Sequence, residues 1–276
     1  MSDRVVVGNV EITSLSDGLL TFDSREFYPS VSEEAWEPYR DQMTPEGLLT
    51  MNMGSFVLRS EGKTVLVDTG LGKSQPGSAV PGGLLLEDFA ARSIPVEEID
   101  MVVTTHLHGD HVGWNLTREG DTYRPTFPNA RYWVPRADWD LFTRRAGMQV
   151  FSHILHQVVP LESLGILELM EGEQQLTSEI SALPTPGHTP GHTSVLVSSQ
   201  GESAIIFGDA AHIPAQVQET DWSPRPDTDP ELSRVTRRNL MDRIERDGSL
   251  IVAGHFPAPG FGRIVRLKER RYWQAL

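Results

Sequence analysis

Thr105–Gly113 reads THLHGDHVG. It follows directly on Ile99–Thr105 (IDMVVTT), a β-branched, apolar run of buried-strand type. Side chains alternate along an extended segment, so His106 and His108 can point the same way. Asp110 and His111 then turn off and can serve a second ion a few ångströms away. Neutral imidazole and carboxylate suit Zn²⁺ and similar first-row cations where no thiolate is at hand.

Three further residues extend this set. His188 lies in Thr185-Pro186-Gly187-His188, Asp209 in Phe207-Gly208-Asp209, and His255 in Ala253-Gly254-His255-Phe256-Pro257. Each follows an apolar strand-like run, and strand ends along one rim are where loops converge on a pocket. A lone histidine is ordinarily a surface or core residue. Seven such residues, each at a strand end, point to metal binding. A carboxylate such as Asp209 can bridge two cations, which about 3.5–4 Å apart share a hydroxide and stabilise a developing oxyanion.

Composition narrows the chemistry. The 276 residues include nine His and no Cys, which excludes disulfides, thiolate nucleophiles, Fe–S clusters and Cys-ligated zinc. The 38% hydrophobic share is ample for a large core, and 1–276 reads as one domain. With 24 Lys+Arg against 38 Asp+Glu the net charge is −14, which argues against nucleic acid as a partner. No stretch approaches the roughly 18–20 apolar residues of a membrane helix, and MSDRVVVGNVEIT lacks the apolar core of a signal peptide. A cytoplasmic protein without membrane partners is expected.

Around the histidines, strands outnumber helices. Val5–Thr13 reads as a strand, and Ser32 caps a short helix beginning Glu33-Glu34-Ala35-Trp36. Ser55–Arg59 and Thr64–Asp68 flank Glu61-Gly62-Lys63 as a hairpin. Leu71–Gly83 reads as a flexible connector before a helix over Leu84–Arg92. The second half repeats the plan. Strands are expected at Arg131–Val134, Ile180–Leu183, Thr193–Ser198, Ala204–Phe207 and Leu250–Ala253, and a helix over Arg136–Arg145. Ser199-Gln200-Gly201-Glu202 forms a turn, and Asp229-Pro230 opens a helix with Leu232, Val235, Leu240 and Ile244 on one face, closed by Gly248. Two packed sheets with helices outside follow.

Thr105–Gly113, Val67-Asp68-Thr69-Gly70, Thr185–His188, Gly208-Asp209 and Gly254-His255 together resemble, in order, the five motifs of the metallo-β-lactamase fold superfamily. The resemblance implies an α+β fold, the αββα sandwich of two mixed sheets with helices on the outer faces. By motif match the first ion takes His106, His108 and His188, the second takes Asp110, His111 and His255, and Asp209 bridges them. Asp68 matches the aspartate that orients a ligand histidine. Two divalent ions are implied, Zn²⁺ foremost, with Mn²⁺, Fe²⁺ or Co²⁺ as alternatives. Asp110 stands where one group of metallo-β-lactamases uses a thiolate.

Asn52 and Ser55 in MNMGSF, with the hairpin and VDTG, resemble the lactonase-like branch, which includes acyl-homoserine lactone lactonases and the methyl parathion hydrolase type. Gly208–Gln216, Trp222, Asp229-Pro230, His255–Gly260 and Phe127–Ala130 look closest to the latter. The homoserine lactonases carry a tyrosine three residues after the bridging aspartate; this chain has His212, either an oxyanion donor or a loop residue. The resemblance implies hydrolysis by a bridging hydroxide of an ester or lactone, or alternatively a phosphotriester, with Asp110, Asp209 and His212 as the catalytic set.

Phe27, Tyr28 and Trp36, in an N-terminal segment (1–50) able to cover the site, together with Trp114, Phe142 and Asn52, are the expected pocket residues. The aromatic ones suggest a largely uncharged, apolar small molecule. Relatives of this kind are often dimers, which implies a homodimer. A tRNA-processing nuclease shares THxHGDH but conflicts with the acidic charge, and a glutathione thioesterase would need a basic cluster that only Arg237-Arg238 and Arg266–Arg271 offer. β-Lactam hydrolysis remains a further alternative. His153 and His156 read as a helix face rather than a metal site.

Overall fold

The computed structural model describes residues 2–73, 82–120, 122–144 and 151–276. In chain order its strands are β1 (Arg4–Val7), β2 (Val10–Asp23), β3 (Leu48–Ser60), β4 (Lys63–Val67), β5 (Met101–Val103), β6 (Leu116–Glu119), β7 (Thr122–Pro125) and β8 (Arg131–Pro135). They continue with β9 (Leu167–Met170), β10 (Gln174–Gln175), β11 (Ile180–Pro184), β12 (Thr193–Ser199), β13 (Glu202–Ile206), β14 (Leu250–Val252), β15 (Phe261–Leu267) and β16 (Arg270–Ala275).

Two seven-stranded sheets form, ordered β1-β2-β3-β4-β5-β8-β9 and β10-β11-β12-β13-β14-β15-β16, while β6 and β7 pair separately. The alternating side chains of the central strands explain how the sheets stack. Val65, Val67 and Val103 of the first sheet meet Ala204, Ile206, Leu250 and Val252 of the second in one buried cluster. Their neighbours Leu66 and Val102 face outward onto Leu85 and Phe89 of helix Leu85–Ala91. Ile205 and Ile251 face outward onto Leu240, Met241 and Ile244 of helix Pro230–Asp247. Both faces of each strand are therefore buried, which is why these strands read as unbroken apolar runs. The layers are helix, sheet, sheet, helix: the expected αββα sandwich.

The halves share one device. β4 pairs parallel with β5 across helix Leu85–Ala91, and β13 pairs parallel with β14 across helix Pro230–Asp247. Carboxyl ends of adjacent parallel strands open a crevice for ligands. Asp68 and His106 follow β4 and β5; Asp209 and His255 follow β13 and β14.

Some expectations change. Val5–Thr13 is two strands, because Gly8 at φ 59° turns the chain between β1 and β2. The short helix after Ser32 is present as a 3₁₀ helix, Glu33–Gln42, with Ser32 at its N-cap but making no side-chain capping bond; Pro38 inside it cannot donate a backbone hydrogen bond. On helix Pro230–Asp247, Leu240 and Ile244 are buried, but Leu232 and Val235 are exposed, and Ser233 and Arg237 turn inward instead. The tail arginines are engaged: Arg266 of β15 and its register partner Arg271 of β16 both bond Glu245 of helix Pro230–Asp247. The Leu71–Gly83 connector lies outside the described residues over 74–81, as does Arg145 of the expected helix, which runs from Arg136 to Phe142. No helix among the described residues is long and apolar enough to cross a membrane.

Candidate metal centre

His106, His108, His188 and Asp209 bring one ligand atom each within 4.8 Å of one another, and Asp110, His111 and His255 form a second such group. Asp209 lies between them. Its Oδ2 is 3.6 Å from His106 Nε2 and 3.3 Å from His188 Nε2, while Oδ1 is 3.3 Å from His111 Nε2 and 3.1 Å from His255 Nε2. Each carboxylate oxygen thus addresses a different histidine group. Asp110 Oδ2 completes the second, 3.6 Å from both His111 Nε2 and His255 Nε2. In the first, His188 Nε2 and His108 Nδ1 converge at 3.0 Å.

Outer partners set which ring nitrogen carries a lone pair. His111 Nδ1 donates to Asp68 at 2.9 Å, His188 Nδ1 to Asp227 at 2.8 Å and His255 Nδ1 to the Asn52 carbonyl at 2.8 Å. The Thr105 hydroxyl donates to Asp68 at 2.8 Å, so its oxygen is free to accept from His106 Nδ1 at 3.1 Å. Four Nε2 atoms are thereby left as acceptors aimed at the centre. Asp68 holds this position with a left-handed backbone, φ 60°, rare outside glycine and concentrated at functional sites.

The residues fit a pair of cations. His106 Nε2, His111 Nε2 and Asp209 Oδ1 are buried and have no hydrogen-bond partner. Such atoms are costly unless something else occupies them. The field also calls for positive charge. Burial pulls the His188 imidazole down, yet hydrogen bonds to Asp209 and Asp227 overcome it and hold its pKa at about 9. Burial likewise depresses His111, but Asp209, Asp110 and Asp68 raise it well above the ordinary value. A divalent ion satisfies the same carboxylates without a proton.

Sequence reading missed several residues of this centre. Asp227 binds His188 and is itself held by Ser223 at 2.5 Å and by the buried Arg237 guanidinium at 3.4 Å. Burial works against its charge, but His188 and Arg237 bring its carboxyl down to about 2. It sits in the loop 223–229, where no periodicity marks it. His192 is fully enclosed and accepts from the Asp209 backbone N–H at 2.9 Å. Its signal was visible: Pro186–Thr189 and Pro190–Thr193 both read PGHT. Gly208, φ 54°, has His192 Nε2 2.7 Å from where a Cβ would stand, so only glycine admits this approach.

A cavity of about 150 Å³ opens on His108, Asp110, Asp209, His212 and His255. Phe22, Phe27, Met51, Met53 and Pro226 form its other wall, and no Lys or Arg lines it among the described residues. Of the expected pocket residues, Phe27 lines it, and Phe142 packs edge-on to His108 at 6.2 Å. The other four are placed elsewhere. Asn52 accepts from Ser16, donates to the Gly254 carbonyl and holds His255 through its own carbonyl. Tyr28 is buried and donates to Gln216; Trp36 packs on Trp222 at 4.5 Å. Trp114 points into the first-half core and donates to Asp17. Their apolar bulk is spent on packing, Tyr28 and Trp36 beneath the cavity wall. His212 lies parallel to His255, 5.4 Å away, with Nε2 3.1 Å from Asp209 and Nδ1 buried without a partner. His153 donates to the Leu107 carbonyl and His156 bonds Tyr123.

Residues 55–255 match the model of the metallo-β-lactamase superfamily. The chain belongs to that superfamily. Among curated proteins, the N-acyl homoserine lactonase of Bacillus thuringiensis is 25% identical over 233 residues, covering 77% of this chain and 84% of that one. The enzyme of the same name from Bacillus cereus is 24% identical over a similar span, with the same coverage. Among solved structures, the hydrolase AbOPH superposes with a TM-score of 0.86 at 22% identity, covering 99% of this chain and 96% of that one. AidC, a dizinc quorum-quenching lactonase in complex with a product, gives 0.83 at 20% identity, with the same coverage.

Proposed function

We propose that this metallo-β-lactamase superfamily chain, acting as one domain over 1–276, is a metal-dependent hydrolase of lactones and related uncharged esters. The observation that carries the reading is the division of Asp209: one carboxylate oxygen toward each histidine group, at the floor of an apolar cavity. Likeness to N-acyl homoserine lactonases across more than three-quarters of the chain supports the substrate class.

His106, His108 and His188 would hold one divalent cation, Zn²⁺ foremost. Asp110, His111 and His255 would hold the other, with Asp209 shared. When bound, such a pair supplies a water-derived nucleophile at neutral pH and stabilises negative charge on oxygen. The protein does the rest. Phe22, Phe27, Met51, Met53 and Pro226 exclude water and bury the apolar part of the substrate. His212 places an imidazole at the cavity wall, where its N–H would stabilise an oxygen that gains charge as the carbonyl is attacked. Asp110, the more exposed of the two carboxylates, would take up the proton that the attacking water gives up and relay it to the departing alkoxide. Asp68 and Asp227 keep His111 and His188 in the tautomer the site needs.

A phosphotriester is the second reading, since a cavity with no Lys or Arg among its described lining residues suits uncharged esters in general, and His212 stands where the lactonases carry a tyrosine. Among the described residues no Lys or Arg lines the cavity to hold the further phosphates of RNA or the carboxylates of a glutathione thioester. A panel of γ- and δ-lactones, aryl esters and a phosphotriester on the metal-loaded protein decides. Lactone or ester turnover at the highest kcat/KM is expected, with Asp209→Asn lowering it more than about 100-fold. Full activity in that variant would exclude the two-cation arrangement, and a clear preference for the phosphotriester would move the assignment to organophosphates.

A further inference from the structure

Asp138 is fully buried in the first turn of helix Arg136–Phe142 and has no cationic partner in its hydrogen bonds. Its carboxylate instead gathers three neutral donors. The Leu107 N–H reaches Oδ2 at 3.1 Å, the Thr189 hydroxyl reaches the same oxygen at 2.8 Å, and the Gly191 N–H reaches Oδ1 at 2.6 Å. Leu107 is the spacer between His106 and His108. Thr189 follows His188, and Gly191 precedes His192. A Cβ on Gly191 would stand 2.7 Å from the Asp138 nitrogen and 2.8 Å from its Oδ1, so the loop approaches this closely only as glycine.

The chain of bonds continues. His192 donates from Nδ1 to the Thr185 carbonyl at 2.9 Å and accepts the Asp209 N–H on Nε2. One buried carboxylate therefore ties together the two loops that carry His106, His108 and His188, and the second of those loops fixes the backbone of Asp209. The other group is anchored differently, by Asp68 beneath His111 and by the Asn52 carbonyl beneath His255.

We propose that Asp138 is the positioning residue of the first cation site: it sets the spacing of His106, His108 and His188 through their backbones, without touching cation or substrate. The inference rests on the two-cation reading above. A mere packing role would give a different pattern, since loss of fold weakens both sites alike.

The test is Zn²⁺ titrated into the chelator-stripped full chain, with circular dichroism and the thermal midpoint as controls for folding. Asp138→Asn puts an amide donor against the N–H and O–H donors it must accept from, and Thr189→Val removes one of the three bonds at nearly constant volume. Both are expected to weaken one of the two Zn²⁺ sites, Asp138→Asn by about tenfold, while the other shifts less than about twofold. The site is assigned in two backgrounds. With His255→Ala, the remaining Zn²⁺ at the first group should respond to Thr189→Val; with His106→Ala, the Zn²⁺ at the second should not. Should Asp138→Asn fail to fold, Thr189→Val decides alone. Unchanged affinities in folded variants, or equal weakening of both sites, would overturn the inference and leave the proposed function standing. A parent chain that takes up no Zn²⁺ would overturn both.

Discussion

Asp17 shows how a single carboxylate can secure the approach to the centre. It stands where β2 slips register against β3 between Ser16 and Leu19. It accepts from Leu71 N–H and Leu85 N–H, both at 2.5 Å, and from Trp114 Nε1 at 3.0 Å. It thus joins the segment after Asp68 to the residues just past Gly113. Burial raises its pKa to about 6, and these three donors, with the Gly72 N–H at 3.3 Å, only partly offset that. Between the ordinary value of 3.8 and about 6 the folded chain binds the proton that the unfolded chain has released. Stability from this group is therefore present at low pH and is lost as pH rises through that window. Comparing the parent with Asp17→Asn by urea unfolding, the stability difference should favour the parent more at pH 4 than at pH 7, on the order of 3 kcal/mol. A pH-independent difference would show that Asp17 ionises normally. The seven residues that converge at the centre were legible because chemistry, not packing, dictates their type and spacing. Asp17, Asp138 and Asp227 were not. A buried acceptor is defined by donors distant in sequence, and nothing local distinguishes it from a surface aspartate.

At the scale of elements, local signals succeeded where they are intrinsic to the backbone. Glu61-Gly62 and Gln200-Gly201 turn their hairpins with positive φ at both residues, as their sequences suggest. Asp229 caps helix Pro230–Asp247 by accepting the Leu232 N–H at 3.0 Å, and Gly248 closes the helix at φ 63°. Asp229→Ala should cost about 1 kcal/mol in denaturant unfolding. No loss would mean that the Asp229 N–H bond to the Gly187 carbonyl holds the junction alone. The apolar face of this helix was misread because its first turns cover a polar junction. There Arg237, enclosed, serves Asp227 and the carbonyls of Ala210, Thr220 and Trp222. Hydrophobic periodicity has no means of marking a buried guanidinium. The strands β15 and β16 escaped detection for a related reason: they pair at the sheet edge, half exposed and rich in arginine.

Across the molecule, two sheets bring four strand ends from opposite halves of the chain to one rim. The fold class was readable because apolar runs punctuated by ligand motifs recur in the same order in both halves. What covers the rim was not. The N-terminal segment contributes Phe22 and Phe27 to the cavity, and the alternation of β3 turns Met51 and Met53 toward it. Tyr28, Trp36 and Trp222 pack together beneath that wall. The centre itself gathers Asp68, Asp110, Asp209 and Asp227 in a chain of net charge −14, a burden that bound cations would relieve. The most direct measurement is the metal content of the purified chain, taken with its lactone hydrolysis and thermal midpoint before and after chelation. Two equivalents of divalent cation per chain are predicted. Hydrolysis should vanish on their removal and return on their restoration, and the midpoint should fall by at least about 5 °C without them. A chain that binds no cation, or that hydrolyses lactones undiminished after chelation, would contradict the account.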